Sequence, residues 1–169
     1  MPALQWRPWK SAERRGRDKY VHRANRNNLA TARMRLVDSA IPCPCGRIDA
    51  KKQPLAYIAC CGQYIDDELA APDAQCLMRS RYSAFVLEKA DYLLSTWHSS
   101  QRPASLDFES GVKWLGLQVQ NHTVVDATHS EVTFVARQRD STGRAIRLHE
   151  RSHFVSENGY WYYVDGDNL

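Results

Sequence analysis

Four of the five cysteines fall within nineteen consecutive positions, as Cys43, Cys45, Cys60 and Cys61, and Cys76 stands alone. The segment that carries the four is punctuated by Pro42, Pro44, Gly46, Pro54 and Gly62. It therefore reads as a loop with little core of its own, and such a segment needs a staple to hold one shape. In a reducing compartment a cysteine cluster of this density points to a metal before it points to disulfides. Thiolates suit Zn²⁺, a borderline-soft ion that accepts tetrahedral sulfur ligation without redox change. Cys43-Pro44-Cys45-Gly46 supplies one pair on a tight turn, and Cys60-Cys61-Gly62 supplies the other after fourteen intervening residues. This is not the C-x₂-C spacing of common zinc fingers. Free or redox-active thiols, or a site in which adjacent Cys60 and Cys61 do not both bind, are the competing readings. Four sulfurs with none left over make a closed structural site, which leaves no position for catalysis.

Charge divides the chain at the same place. Residues 1–40 hold ten Lys/Arg and three Asp/Glu, a net of +7, whereas the remainder has thirteen basic and sixteen acidic residues, a net of −3. The leader is expected to be disordered or weakly helical, with a frayed helix over Arg23–Leu36. It is either a solvated tail, or an extension upstream of a working start at Met34, or an arm that touches nucleic acid or an anionic lipid face by releasing counterions. No run approaches the ~18–20 apolar residues that span a bilayer, and no secretory pattern opens the chain. The expected location is the cytoplasm, with no membrane span.

Beyond the cysteines the hydrophobic period changes twice. After Pro72, Asp73 is a fitting N-cap for a helix with stripes Met78-Tyr82-Phe85-Lys89 and Leu77-Arg81-Ala84-Glu88. Asp91 is expected to cap a second short helix with Leu93, Leu94 and Trp97 inward, and a third helix is expected over Ala104–Gly111. From there the period is two. Leu115, Leu117 and Val119 share a face, as do Val132, Phe134 and Ala136, then Ile146, Leu148 and Phe154. A fourth strand covers Tyr160–Val164. Asn158-Gly159 predicts a type I′ hairpin and Ser141-Thr142-Gly143 another turn. Helices followed by a meander define an α+β domain with helices on one face of a mainly antiparallel four-stranded sheet.

These residues also carry a resemblance. Cys43-Pro-Cys-Gly with Cys60-Cys-Gly resembles the SEC-C motif, the zinc-binding knuckle also found at the C-terminus of the SecA translocation ATPase. Leu77-Met-Arg-Ser-Arg-Tyr-Ser-Ala-Phe85, Asp91-Tyr-Leu, Thr96-Trp-His98, Trp114-Leu-Gly-Leu117, Phe134-Val-Ala-Arg137, His149-Glu-Arg-Ser-His-Phe154 and Gly159-Tyr-Trp-Tyr-Tyr-Val-Asp-Gly166 resemble the YchJ-like family of uncharacterised bacterial proteins. The resemblance implies a four-cysteine zinc knuckle at 41–65 and does not extend to the leader at 1–40. It further implies a curved cone at 70–167, similar to the cystatin and nuclear transport factor 2-like folds. Two departures stand out. Arg47-Ile48-Asp49 replaces the usual Ser-Gly after the first pair, with a longer gap, and the second knuckle that many members carry at the C-terminus does not appear before Leu169.

One polar group sits where the pattern forbids it. On the third strand Glu150 and Ser152 share the face of Ile146, Leu148 and Phe154, the side the helices cover. A carboxylate there is expensive unless paired or protonated. Arg81 or Arg79 could tie it to the helix as a structural ion pair. Alternatively Arg79, Arg81, Tyr82, His98 and Glu150 border a pocket for a small polar ligand. His149 and His153 alternate outward with Arg147 and Arg151, and Cys76 reads as a packing residue. Trp114, Trp161, Tyr162 and Tyr163 are expected to fill the sheet faces; the alternative is exposed aromatics that form a nucleic-acid platform beside Arg137, Arg147 and Arg151. Two function classes follow. One is a non-enzymatic adaptor whose knuckle meets a protein or ribonucleoprotein partner, which SecA motivates because its knuckle serves partner contacts. The other is a small-molecule binder or enzyme using the helix–sheet pocket.

Overall fold

The computed structural model describes residues 41–169, and the expectations for the leader 1–40 lie outside the described residues. Pro42 to Tyr57 doubles back on itself. Cys43 N–H donates to Leu55 O (2.8 Å), Leu55 N–H to Arg47 O (2.9 Å) and Tyr57 N–H to Ile41 O (2.8 Å). The bend at its tip is built by Asp49, whose carboxylate accepts from the backbone N–H groups of Lys51 and Gln53. A 3₁₀ turn (Tyr57–Ala59) and a single-turn helix α1 (Gly62–Ile65) follow.

Helix α2 (Ala74–Val86) begins where the sequence places it, with Asp73 accepting from Cys76 N–H at 2.6 Å. It is covered almost all round, because sheet, knuckle and the next helix each take a face; Ala74, Leu77, Ser80 and Ala84 are fully enclosed. Helix α3 (Ala90–Ser95) begins two residues earlier than expected: Lys89 occupies the N-cap and Asp91 lies in the first turn, where its charge meets the positive end of the helix. The expected helix over Ala104–Gly111 is absent. There Leu106 and Phe108 are half-buried while Ser105, Asp107 and Glu109 are exposed. That alternation is extended chain, with Phe108 packed edge-on against Phe85.

Strands β1 (Lys113–Val124), β2 (His129–Arg139), β3 (Ala145–Glu157) and β4 (Tyr160–Asn168) form one antiparallel sheet in chain order. The Asn158-Gly159 turn has φ of 52° and 83°, both positive as a type I′ hairpin demands. Bulges break the period-two reading in β1. At the first, between Trp114 and Gly116, Leu115 is extruded and 53% exposed, so Trp114 takes the inward place expected for Leu115. The second, at Gln120, hands the inner face from Leu117 and Val119 to His122 and Val124. The inner face of β2 and β3 is Ser130, Val132, Phe134, Ala136, Ser152 and Phe154, all buried.

The knuckle is not an appendage. Cys43, Cys45, Cys60 and Cys61 belong to the same buried cluster as Leu77, Met78, Tyr82, Val132, Phe134 and Phe154. Among the described residues no helix is long and apolar enough to cross a membrane.

Candidate metal centre

The doubled-back strand pair delivers Cys43 and Cys45, and the 3₁₀ turn delivers Cys60 and Cys61. Gly46 holds the first pair in place: its φ of +68° lies in the left-handed region, and its N–H closes the turn on Cys43 O at 3.0 Å. The four Sγ atoms all lie within 4.8 Å of one another. Cys45 and Cys60 sulfurs are 3.6 Å apart and those of Cys60 and Cys61 are 4.0 Å apart. These separations are far beyond a disulfide, and all five cysteines are free. Four sulfurs around one tetrahedral zinc would be spaced about 3.8 Å, given a Zn–S bond of about 2.3 Å. Each is nearly sealed from solvent, at 5, 0, 5 and 1% exposure for Cys43, Cys45, Cys60 and Cys61.

So close a group cannot ionise fully by itself. Hydrogen bonds from Cys45, Cys60 and Cys61 hold the Cys43 thiol well below its ordinary range, and that thiolate in turn pushes Cys60 and Cys61 up. A divalent cation at the centre removes this conflict, because each thiolate then faces the ion. The donor set, spacing and burial therefore fit a metal ion held by all four.

The body supplies groups around the sulfurs that the sequence stripes did not include. Ser83 Oγ lies 3.7 Å from Cys43 Sγ, fully buried, and Arg79 donates to Cys45 O at 3.1 Å. The Nε of Arg79 is buried with no hydrogen-bond partner among the described residues. Arg47, from the knuckle, donates to Cys76 Sγ at 3.7 Å. Cys76, Arg79 and Ser83 are spaced three and four along α2, so one stripe of that helix faces the knuckle. Only one member is apolar by hydropathy, which is why a search for apolar period overlooks it.

Of the pocket candidates only Arg81 and Glu150 come near each other, on either side of Tyr163. Arg81 is buried between two rings, its guanidinium carbon 5.1 Å from the Trp97 centroid and 4.7 Å from that of Tyr163. It donates to Leu93 O (2.7 Å) and Thr96 Oγ1 (2.8 Å), satisfying the C-terminal end of α3. Burial draws it down to about 10. Arg79, about 200° further round the helix, faces the knuckle instead. Tyr82 stacks edge-on with Trp114 at 5.4 Å. His98 lies by the β4 edge, bonded to Ser100 (2.7 Å) and Glu157 (3.2 Å).

Glu150 does face the covered side. It accepts from Ser152 Oγ at 2.5 Å and Tyr163 O–H at 3.5 Å, and it makes no ion pair with Arg81, which acts on it only through space. Gly166, opposite Ser152 on β4, leaves the room it occupies; a Cβ there would collide with the carboxylate. A surface concavity of 310 Å³ lies elsewhere, lined by Ile65, Glu88, Lys89, Ala90, Asp91 and Tyr92.

Comparison with known proteins places this geometry among relatives. Residues 73–166 match the family described as YchJ, middle NTF2-like domain. A UPF0225 protein of Polaromonas sp. (strain JS666) is 65% identical over 127 residues, covering 74% of this chain and 91% of the relative. One from Polaromonas naphthalenivorans is 63% identical over 134 residues, covering 76% and 98%. Among solved structures, a SEC-C motif containing protein from Rhodopseudomonas palustris superposes with a TM-score of 0.65 at 29% identity, over 76% of this chain and 99% of that one. Another from Psychrobacter arcticus gives 0.64 at 34% identity, over 76% and 83%.

Burial raises the Glu150 carboxyl above its ordinary value. A group raised on folding contributes stability that is fully present below its unfolded pKa, about 4.3, and lost as pH rises through the folded value. Wild type is therefore expected to lose stability relative to Glu150→Gln as pH rises from about 4.3 to neutrality. Urea titrations of both proteins across that range check this, and a difference that stays flat or moves the opposite way contradicts it.

Proposed function

The chain belongs to the YchJ-like family, and we propose that it is a zinc-binding protein whose Cys43, Cys45, Cys60 and Cys61 hold one structural Zn²⁺. The knuckle so fixed presents a rigid surface to a protein or ribonucleoprotein partner. The observation that carries this reading is the convergence of four buried sulfurs within 4.8 Å from a segment with no core of its own. The two SEC-C structural neighbours support it. When bound, the ion supplies the positive charge that lets four thiolates coexist in a dry site, and folding is coupled to its presence. A closed quartet has no open position for a reacting group, which favours an adaptor over an enzyme.

The residues around the quartet have separable tasks. Ser83 orients the Cys43 sulfur from the body helix, and Arg79 fixes the Cys45 carbonyl. The outward side of the knuckle carries Ile41 and Ile48, 49% and 55% exposed, beside the exposed Arg47, Lys51 and Lys52. Apolar anchors ringed by charge are what a protein interface uses. We divide the chain into a leader (1–40), the knuckle (41–65) and the cone (70–167). Its free cysteines fit a reducing compartment, here taken as the cytoplasm. The alternative, a small-molecule binder between helices and sheet, has less support, since Arg81 and Glu150 direct their hydrogen bonds to neighbouring residues.

Ser83→Ala is expected to weaken zinc affinity by roughly tenfold with the fold retained, read by competition with a chromophoric chelator alongside circular dichroism. Unchanged affinity removes Ser83 from the centre. For the adaptor role, affinity capture with the intact chain should recover partners that a Cys60→Ser/Cys61→Ser variant loses. Identical partner sets contradict it.

A further inference from the structure

The outer face of the sheet, turned away from the helices, is divided by charge. At one end Glu131, Asp165 and Asp167 surround Arg151 and His153, with Arg151 to Asp167 at 2.7 Å and His153 to Asp165 at 2.7 Å. At the other end the residues in register across β1, β2 and β3 form three rows. They are Lys113, Arg139 and Ala145; Gly116, Arg137 and Arg147; Gln118, Val135 and His149. Lys113, Arg137, Arg139 and Arg147 are all exposed. Among the described residues none of the four enters an ion pair.

Arg137 and Arg147 are direct cross-strand partners. Like charges so placed destabilise a hairpin, and an opposite charge would have been the neutral choice. On the other side of Arg137 stands Gly116, where nothing lies within 4 Å of the position a Cβ would take. The pair thus borders a bare patch of backbone, open to an incoming group. Below it the surface is firm: His149 Nε2 meets Gln120 Oε1 at 2.8 Å across β2, and Val135 beneath is 1% exposed. Among the described residues the last contact of β4 with β3 is Leu169 N–H to His149 O at 2.9 Å, and Arg147 lies two residues beyond it along β3.

We propose that this end of the outer sheet face binds the phosphate backbone of single-stranded RNA, with Arg137 and Arg147 as its central contacts and Lys113 and Arg139 flanking them. Residues two apart on a strand are about 7 Å apart, so Arg137 and Arg139 present a regular series of charges rather than a single anion cradle. A cation-rich surface whose three rows contain no acid is suited to a polyanion, whose affinity comes from counterion release. An acidic protein partner would need apolar anchors at the centre of the contact, and only Leu115 at the adjacent bulge offers one.

The test uses the full chain and a fluorescein-labelled oligouridine on the order of twelve nucleotides, within the site sizes of single-strand-binding OB folds, followed by anisotropy. Binding should weaken steeply between about 50 and 200 mM salt. Arg137→Ala/Arg147→Ala should lower affinity roughly tenfold and reduce the logarithmic salt slope by about 1.4, two contacts at about 0.7 each. Arg137→Lys/Arg147→Lys should retain most of the binding. The alanine pair should melt no lower than wild type, because a repulsion is relieved; if it does unfold, Lys113→Gln/Arg139→Gln serves as the readout with the same expected direction. Wild-type affinity and slope in the alanine pair would assign any binding to the basic leader and overturn the proposal. So would absence of binding at the lower salt, or competition by polyglutamate as effective as that by unlabelled RNA.

Discussion

Four thiols in a space of 4.8 Å, almost without access to water, are an unstable arrangement until something positive is put among them. The segment that carries them has prolines and glycines where a domain would have a core, and its backbone pairing amounts to a few hydrogen bonds. Its shape therefore depends on the sulfurs agreeing on one centre. Because the same sulfurs lie in one buried cluster with Leu77, Met78 and Val132, and Cys43 meets Ser83 of α2, the state of that centre is felt by α2 and through it by the sheet.

Helix α2 is the element on which the two halves meet. Its stripe Cys76-Arg79-Ser83 faces the knuckle, while Arg81 reaches the other way, between Trp97 and Tyr163, to hold α3 and the edge of β4. Polar side chains do this because what they bind is polar: a thiolate, a carbonyl, the open end of a short helix. A helix of this kind is enclosed on nearly every side although only some of its stripes are apolar.

Much of this is legible in the residues. The cysteine spacing marks the cluster, Asp73 marks the start of α2, and Asn158-Gly159 marks the last turn; each is a local rule with one physical cause. The family resemblance anticipates the sheet and its covering helices. What cannot be read depends on neighbours distant in sequence. Leu115 alternates correctly for an inward position but is expelled by a bulge that only the pairing with β2 defines. Leu106 and Phe108 fall within the span expected to be helical, yet their spacing of two is already that of extended chain. Ser83 gives no signal because a serine on a helix is ordinary until the surface opposite it is known, and Arg79 is singled out for Glu150 although it meets the Cys45 carbonyl. His98, Tyr82 and Glu150 each have reason to be singled out; their directions from different elements keep them apart.

The direct test is X-ray absorption at the zinc edge, with elemental analysis, on protein purified without chelators. The account predicts one zinc per chain surrounded by four sulfur atoms at about 2.3 Å. A preparation with no stoichiometric metal, or a shell in which nitrogen or oxygen replaces any of the four sulfurs, contradicts it.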